Sequence, residues 1–428
     1  MLVLIKRLRG DKVIWALVAL LALFSFMPVF SASSNLAYAG AGTGNTVSYL
    51  VKHLVHVLLG FAIIYQIHKV PYHYYRSISR FLLPFLWILL AYTLFKGTVI
   101  AGANASRWIQ LPFIGISFQP STLAFIVLMV FVARYLSKTR EEKITFKSSF
   151  IDLWIPVGIT LLFILPANFS TAALIFAMIL MLVFVGKYPI KYILGILGIG
   201  FLMLTFFILV AKAFPNPLTS RVDTWEARIE RFMNDENQDS DEVYQIERAK
   251  TAIASGGIYG LGPGKSVQKN FLPQSSSDFI YAIIVEEFGL FGGLSILGIY
   301  LLLFFRFVIA AHKANTLFGK LVVVGLGFPI VFQAFINMGV AVELLPTTGQ
   351  TLPLISSGGS SIWVTCLAIG IIINVTKKEE EIAQENAEKL KRDEALQKLI
   401  DKQLEEDSLE TNENSEESNP MQAVLNKK

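Results

Sequence analysis

Residues 271–293 read FLPQSSSDFIYAIIVEEFGLFGG. Leu-Pro and a serine run read as a turn, and the apolar residues after it predict a membrane helix with Asp278 in its first turn. Ser275, Ser276 or Ser277 would cap that helix, and the positive end of its dipole would favour ionised Asp278. An ionisable side chain at membrane depth is costly enough to mark a functional site by default. A carboxylate that merely caps a helix at the interface is the plainer reading, and spacing alone does not separate the two. Glu286 and Glu287 fall about 12 to 14 Å further along the predicted helix. Both read as buried anchors to neighbouring helices, with Glu286 nearer the side of Asp278.

Outward from this stretch the chain is apolar: 54% of its 428 residues are hydrophobic, 16% are charged, and the mean hydropathy is +0.56. That excludes a soluble protein of this length and predicts an all-α polytopic membrane protein. Ten apolar runs are long enough to cross a bilayer, at about 13–31, 46–67, 81–100, 119–137, 151–165, 170–186, 191–213, 278–305, 317–339 and 359–376. Lys and Arg concentrate on alternate connections, while those near 31–45, 166–169 and 340–358 carry none. The positive-inside rule therefore predicts a multi-pass protein with both termini in the cytoplasm. The small residues after the first run (SASSNLAYAGAG) allow a cleaved signal, but an uncleaved first helix is expected. The single cysteine, Cys366, offers no disulfide and no thiolate site. His53 and His56 share a helix face without a third ligand, so packing is expected of them rather than metal binding.

The unusual features gather on the predicted outer side. Lys96, Arg107 and Trp108 sit on a short outer connection, where a guanidinium beside an indole would suit a phosphate and a sugar. Snorkelling and interfacial anchoring would also account for them. The long outer connection, about 213–277, holds two helix-spaced segments, WEARIERF and YQIERAKTAIAS, read as interfacial amphipathic helices. Gln245, Arg248 and Lys250 precede a glycine-rich bend, SGGIYGLGPGKS, that carries Lys265. Its GPGKS resembles the end of a phosphate-binding loop but lacks the earlier glycine, since residue 259 is Tyr, so nucleotide binding is rejected and no nucleic-acid partner is expected. These glycines would let the backbone approach an anionic headgroup. Before the tenth run, NMGVAVELLPTTGQTLPLISSGGSSIW cannot be a regular lipid-facing helix, and it reads as a re-entrant segment lining a cleft. Ser356, Ser357, Gly358 and Gly359 are its candidate substrate contacts. From 377 to 428 the chain turns polar, reading as a cytoplasmic tail that is helical to about 406 and disordered beyond Ser408.

Taken together, these outer motifs resemble the SEDS family of peptidoglycan glycosyltransferases. NASRWI (104–109), Gln119-Pro120-Ser121, AIASGG (252–257), LPQSSSDFIYAIIVEEFG (272–289) and PTTGQTLPLISSGGSS (346–361) resemble family motifs in the family's order. TLPLIS lies closer to the division-type FtsW branch than to RodA. The chain departs from the family at Ser121–Phe125, at Pro166–Thr171, where Asn168 replaces Asp, and at Gln274, which replaces Glu. The resemblance implies polymerisation of lipid II, an undecaprenyl-diphosphate-linked disaccharide-pentapeptide, with Asp278 as general base and Lys96, Arg107, Arg248, Lys250 and Lys265 as cations for the leaving diphosphate. It also implies a place in the bacterial cytoplasmic membrane, with a class B penicillin-binding protein and other division proteins as partners. No cofactor is evident, and a divalent cation would share the cationic role without any ligand cluster announcing it. A lipid II flippase and a non-catalytic division scaffold remain alternatives on sequence.

Overall fold

In hydrocarbon every backbone polar group must be satisfied within its own segment, so the apolar runs fold as helices. The computed structural model describes residues 8–38, 46–97, 107–110, 117–140, 144–213, 241–377, 381, 387 and 390–404. Its helices are α1 (Lys12–Tyr38), α2 (Thr46–Ile67), α3 (His73–Lys96), α4 (Pro120–Lys138), α5 (Phe146–Ile164), α6 (Phe169–Val185), α7 (Ile190–Ala213), α8 (Asp241–Gly256), α9 (Ile280–Lys313), α10 (Leu317–Ala341) and α11 (Gly359–Val375). Eight of the described helices are long and apolar enough to cross a membrane, and α6 and α11 are shorter apolar helices. A two-stranded antiparallel ribbon, β1 (Ile109–Gln110) and β2 (Ser117–Phe118), pairs Ile109 with Phe118 just before α4.

Contacts divide the chain into two units, Met1–Thr376 and Lys377–Lys428. In the first, α4 and α10 form the centre: 72% of the apolar window of each is buried, against 11% for α7. Their Ala, Val, Leu and Gly residues pack against α9, α11 and α6. At one end, Asp11 caps α1 by accepting from the Val13 and Ile14 amides at 2.9 and 3.2 Å. The same carboxylate meets Arg306 Nε of α9 at 2.6 Å, and the Asp11 amide donates to Thr376 Oγ1 at 2.9 Å. Three chain segments distant in sequence are thereby pinned together. In the second unit, residues 390–404 are helical and exposed, with Leu390, Leu396, Leu399 and Leu404 uncovered.

The structure differs from the sequence reading in four places. First, α3 begins at His73 rather than near 81, and α1 continues to Tyr38. Second, α5 begins before residue 151: a π-helical turn at Phe150–Trp154 extends it back to Phe146. Asn168 then separates it from α6 by accepting from the Thr171 amide. Third, α9 starts at Ile280 with Phe279 as its N-cap residue, and no serine caps it. Asp278 therefore precedes the helix rather than lying in its first turn.

The fourth difference is a break. Gly289 lies inside α9 at φ 67° and ψ −169°, and the helix is interrupted there. The glycine-rich bend fills the gap: Leu261 and Gly262 amides donate to the Glu286 and Glu287 carbonyls, and the Leu290 amide donates to the Gly257 carbonyl, each at 2.9 Å. A Cβ on Gly256, Gly260 or Gly289 would stand 2.1 to 2.3 Å from backbone oxygens of the opposite segment. The glycines thus permit a close backbone approach, but to the broken helix rather than to a headgroup. YQIERAKTAIAS folds within α8 as expected. WEARIERF, Asn104–Ser106, Ile382 and the tail beyond 404 lie outside the described residues.

Candidate active site

A cavity of about 360 Å³ opens among α4, α6, α10, α11 and the irregular segment before α11. Asp278 lines it, together with Arg107, Trp108, Ser357, Gly358 and Gly359. Five of the eleven residues expected to contact substrate therefore meet the candidate base in one hollow.

The Asp278 turn is positioned by long-range polar contacts to the backbone carbonyls of the serines before it. The Ser357 amide donates to the Ser276 carbonyl at 2.9 Å, and Ser356 Oγ donates to the Ser277 carbonyl at 2.7 Å. Ser356 is 2% exposed and also accepts from the Leu352 amide at 2.7 Å, so it stands behind the wall and holds it. From α10, Asn337 Nδ2 donates to both the Asp278 and the Gln350 carbonyls at 2.7 Å. Asn337 is thus the clip between the Asp278 turn and the opposite wall. Gln333 Nε2 donates to the Thr351 carbonyl at 3.0 Å, and Gln350 Nε2 to Thr171 Oγ1 at 3.0 Å. The segment 342–358 is irregular as expected, and its carbonyls are accepted into this network rather than exposed to lipid.

Arg107 borders the cavity between β1 and the start of α6, and its Nε donates to the Ala167 carbonyl at 2.8 Å. That bond fixes the guanidinium on the wall facing α6. The other expected cations stand elsewhere. Lys96 is exposed at the end of α3, and Lys265 is exposed beyond the bend. Lys250 pairs with Glu343 at 2.5 Å, and Arg248 stacks on Tyr244 and Phe271 at 4.8 and 5.0 Å from the ring centroids. Gln245 is half-buried on α8. None of these five lines the cavity; α8 packs onto α9, and its cations engage Glu343, Tyr244 and Phe271 instead.

Glu286 and Glu287 are 0% and 1% exposed, so their burial is as expected, but the partners differ. Glu286 accepts from Ser266 Oγ and from the Val267 and Gln268 amides at 2.9 and 3.2 Å. Glu287 accepts from Ser31 Oγ of α1 and from the Ser266 amide at 3.3 Å. They anchor the loop leading to Asp278, and only Glu287 reaches a neighbouring helix. His53 bonds Ser25 at 2.7 Å, and the His56 ring packs tilted at 59° against Trp363.

Sequence reasoning missed the amides. Gln119, Asn168, Gln274, Gln333 and Gln350 all line the cavity. Gln119, Asn168 and Gln274 had a signal, since they fall in the motifs at 119–121, 166–171 and 272–289; Gln333 had none. Asp278 is the one carboxylate in the described lining, and among the described residues no group of three or more His, Cys, Asp or Glu is placed to hold a metal ion.

Fold and cavity together define a polytopic membrane protein with a largely apolar cleft that carries one carboxylate and a set of amides beside an irregular segment. Residues 11–381 match the model of a family described as Cell cycle protein, that of FtsW, RodA and SpoVE. Relatives named "Probable peptidoglycan glycosyltransferase FtsW" include those of Geobacter sulfurreducens, 34% identical over 86% of this chain and 96% of the relative, and Saccharophagus degradans, 34% identical over 89% and 95%. Among solved structures, one from a peptidoglycan synthase complex superposes with a TM-score of 0.65 at 23% identity, over 86% of this chain and 97% of that one. RodA of Thermus thermophilus gives 0.61 at 22%, over 87% and 98%. The structures share the fold. On the family match and the identity to FtsW relatives, the chain belongs to the FtsW/RodA/SpoVE family, the SEDS proteins.

Proposed function

We infer that this protein is a peptidoglycan glycosyltransferase that polymerises lipid II into β-1,4-linked glycan at the outer face of the cytoplasmic membrane, with Asp278 as the general base. The observation that carries the assignment to Asp278 is its place as the one carboxylate in the described cavity lining, with Arg107 bordering the same space. In the reaction the acceptor's sugar hydroxyl attacks the anomeric carbon of the donor. The bond from that carbon to the diphosphate breaks, undecaprenyl diphosphate departs, and the hydroxyl proton passes to Asp278. Charge grows on the diphosphate oxygens, and a guanidinium fixed by its Nε bond to Ala167 suits them without reorganisation. Gln119, Gln274 and Gln350 offer both donors and acceptors to hydroxyl and acetamido groups of a sugar. With a single carboxylate at hand, a divalent cation would take its remaining ligands from the substrate's phosphates and water, as Mg²⁺ commonly does.

The partner we propose is a transpeptidase of the class B penicillin-binding protein type, and TLPLIS (351–356) supports a division role. The distribution of Lys and Arg supports cytoplasmic termini and an outward-facing cavity. The test is polymerisation of lipid II by purified protein, alone and with a partner inactivated at its own active site. Wild type should make polymer, and Asp278→Asn should lose about 10²- to 10⁴-fold in rate, the usual worth of a general base. Equal polymer from both would remove Asp278 from the chemistry. Movement of labelled lipid II across vesicles without polymer would instead identify a flippase, and neither activity a scaffold.

A further inference from the structure

The end of the bundle away from the cavity carries an unpaired cluster of cations. Arg76 and Arg80 lie one turn apart near the start of α3, flanking the face that buries Ser79, Leu83 and Leu86. Arg134 and Lys138 lie one turn apart near the end of α4, which packs along α3. Arg134 is half-buried, and the charged groups that act on it are Arg80 and Arg76. Among the described residues none of these three guanidinium groups has a hydrogen bond or ion pair. Three like charges gathered at one helix junction repel, and a partly buried guanidinium without an anion is costly. The cluster is also separate from the cavity: the lining reaches along α4 as far as Met129, and Arg134 lies five residues further, about 7.5 Å.

Below the cations the exposed face of α3 continues as Phe81, Phe85 and Ile88, which are 79%, 53% and 68% exposed. A negatively charged head above an apolar surface is the shape of an anionic phospholipid, and basic pockets between membrane helices bind such headgroups. We propose that Arg76, Arg80 and Arg134 form a binding site for the phosphate headgroup of an anionic phospholipid, whose acyl chains run along α3 past Phe81, Phe85 and Ile88. The lipid neutralises the α3–α4 junction and holds these two helices together.

The full chain in neutral detergent, titrated with phosphatidylglycerol, cardiolipin or phosphatidylcholine and followed by native mass spectrometry, tests this. Wild type should retain the two anionic lipids at least tenfold more tightly than phosphatidylcholine. Each Arg→Gln change should weaken that by about fivefold, and Arg76→Gln/Arg80→Gln/Arg134→Gln by about 10²-fold, from roughly 1 kcal/mol per cation at a membrane surface. Arg134→Lys should keep most of the binding. Arg76→Gln and Arg80→Gln, at exposed positions, serve if the triple variant does not fold. Equal retention of all lipids, or equal retention by wild type and the single variants, would overturn the site. Displacement of the bound lipid by millimolar inorganic phosphate would overturn the lipid as its occupant.

Discussion

Asp278 and Glu286 stand eight residues apart, and their surroundings are opposite. Asp278 is on a turn at the wall of a cavity, held by its backbone carbonyl through Asn337, with its carboxylate near Gly349. Glu286 is fully buried and saturated: a hydroxyl and two amides of residues 266–268 satisfy its oxygens. The difference separates a carboxylate that can exchange a proton with a substrate from one that can only hold a loop. In a membrane protein both would draw attention as costly ionisable groups, so burial alone does not identify the reacting one. Access to a cavity is what sets Asp278 apart.

Two substitutions would break or sharpen this contrast. Asp278→Asn should abolish polymer, by the 10²- to 10⁴-fold of a lost general base, with an unchanged melting temperature. A parallel drop in melting temperature would show that Asp278 is also structural, and the contrast would fail from that side. Next in size, Asn337→Leu leaves the Asp278 and Gln350 carbonyls without their shared donor. Misplacing a catalytic group by about 1 Å can cost 10²-fold, so kcat should fall by about that much while KM holds. A rise in KM at constant kcat would instead make Asn337 part of the substrate pocket.

Glu286→Gln should do the reverse of Asp278→Asn. A glutamine keeps an acceptor for the Val267 and Gln268 amides and an amide group for Ser266 Oγ, but loses the charge that strengthens these bonds. Stability should fall by about 1–3 kcal/mol, read as a lower melting temperature, with turnover within about fivefold of wild type once the protein is kept folded. Loss of turnover at unchanged stability would make Glu286 a member of the reacting set.

The helices were legible because hydropathy at membrane length leaves few alternatives, but Pro166-Ala167-Asn168 alone left the division of α5 from α6 open. Asp278, Arg107 and the Ser357–Gly359 wall were legible because ionisable residues and irregular backbone are anomalies in an apolar chain. The start of α9 was not, since three serines before an apolar run fit an N-cap, yet Ser275 Oγ donates to the Ala32 carbonyl of α1 and Ser277 Oγ to Gln274 Oε1. Nor was the break at Gly289, because a glycine in a helical pattern signals nothing until the strand of backbone crossing it, 257–262, is known. Of the amide lining, Gln119, Asn168 and Gln274 fell in recognisable motifs, while Gln333 is unremarkable until α10 brings it to the same hollow.

Lys250 shows where periodicity misleads. Its helix was correctly read as amphipathic, but the charged side of an amphipathic helix does not say what it faces. The lysine meets Glu343 at 2.5 Å, and the side chains are 50% and 41% exposed. Exposed pairs of this kind contribute about 0–1 kcal/mol, since water and salt screen them. Lys250→Ala should therefore change stability by less than about 0.5 kcal/mol and the polymerisation rate by less than about twofold. A tenfold loss of rate with Tm unchanged would mean that the substrate reaches past the cavity wall onto α8. The separation between an enclosed site around Asp278 and a structural α8 would then give way to a longer groove shared by both.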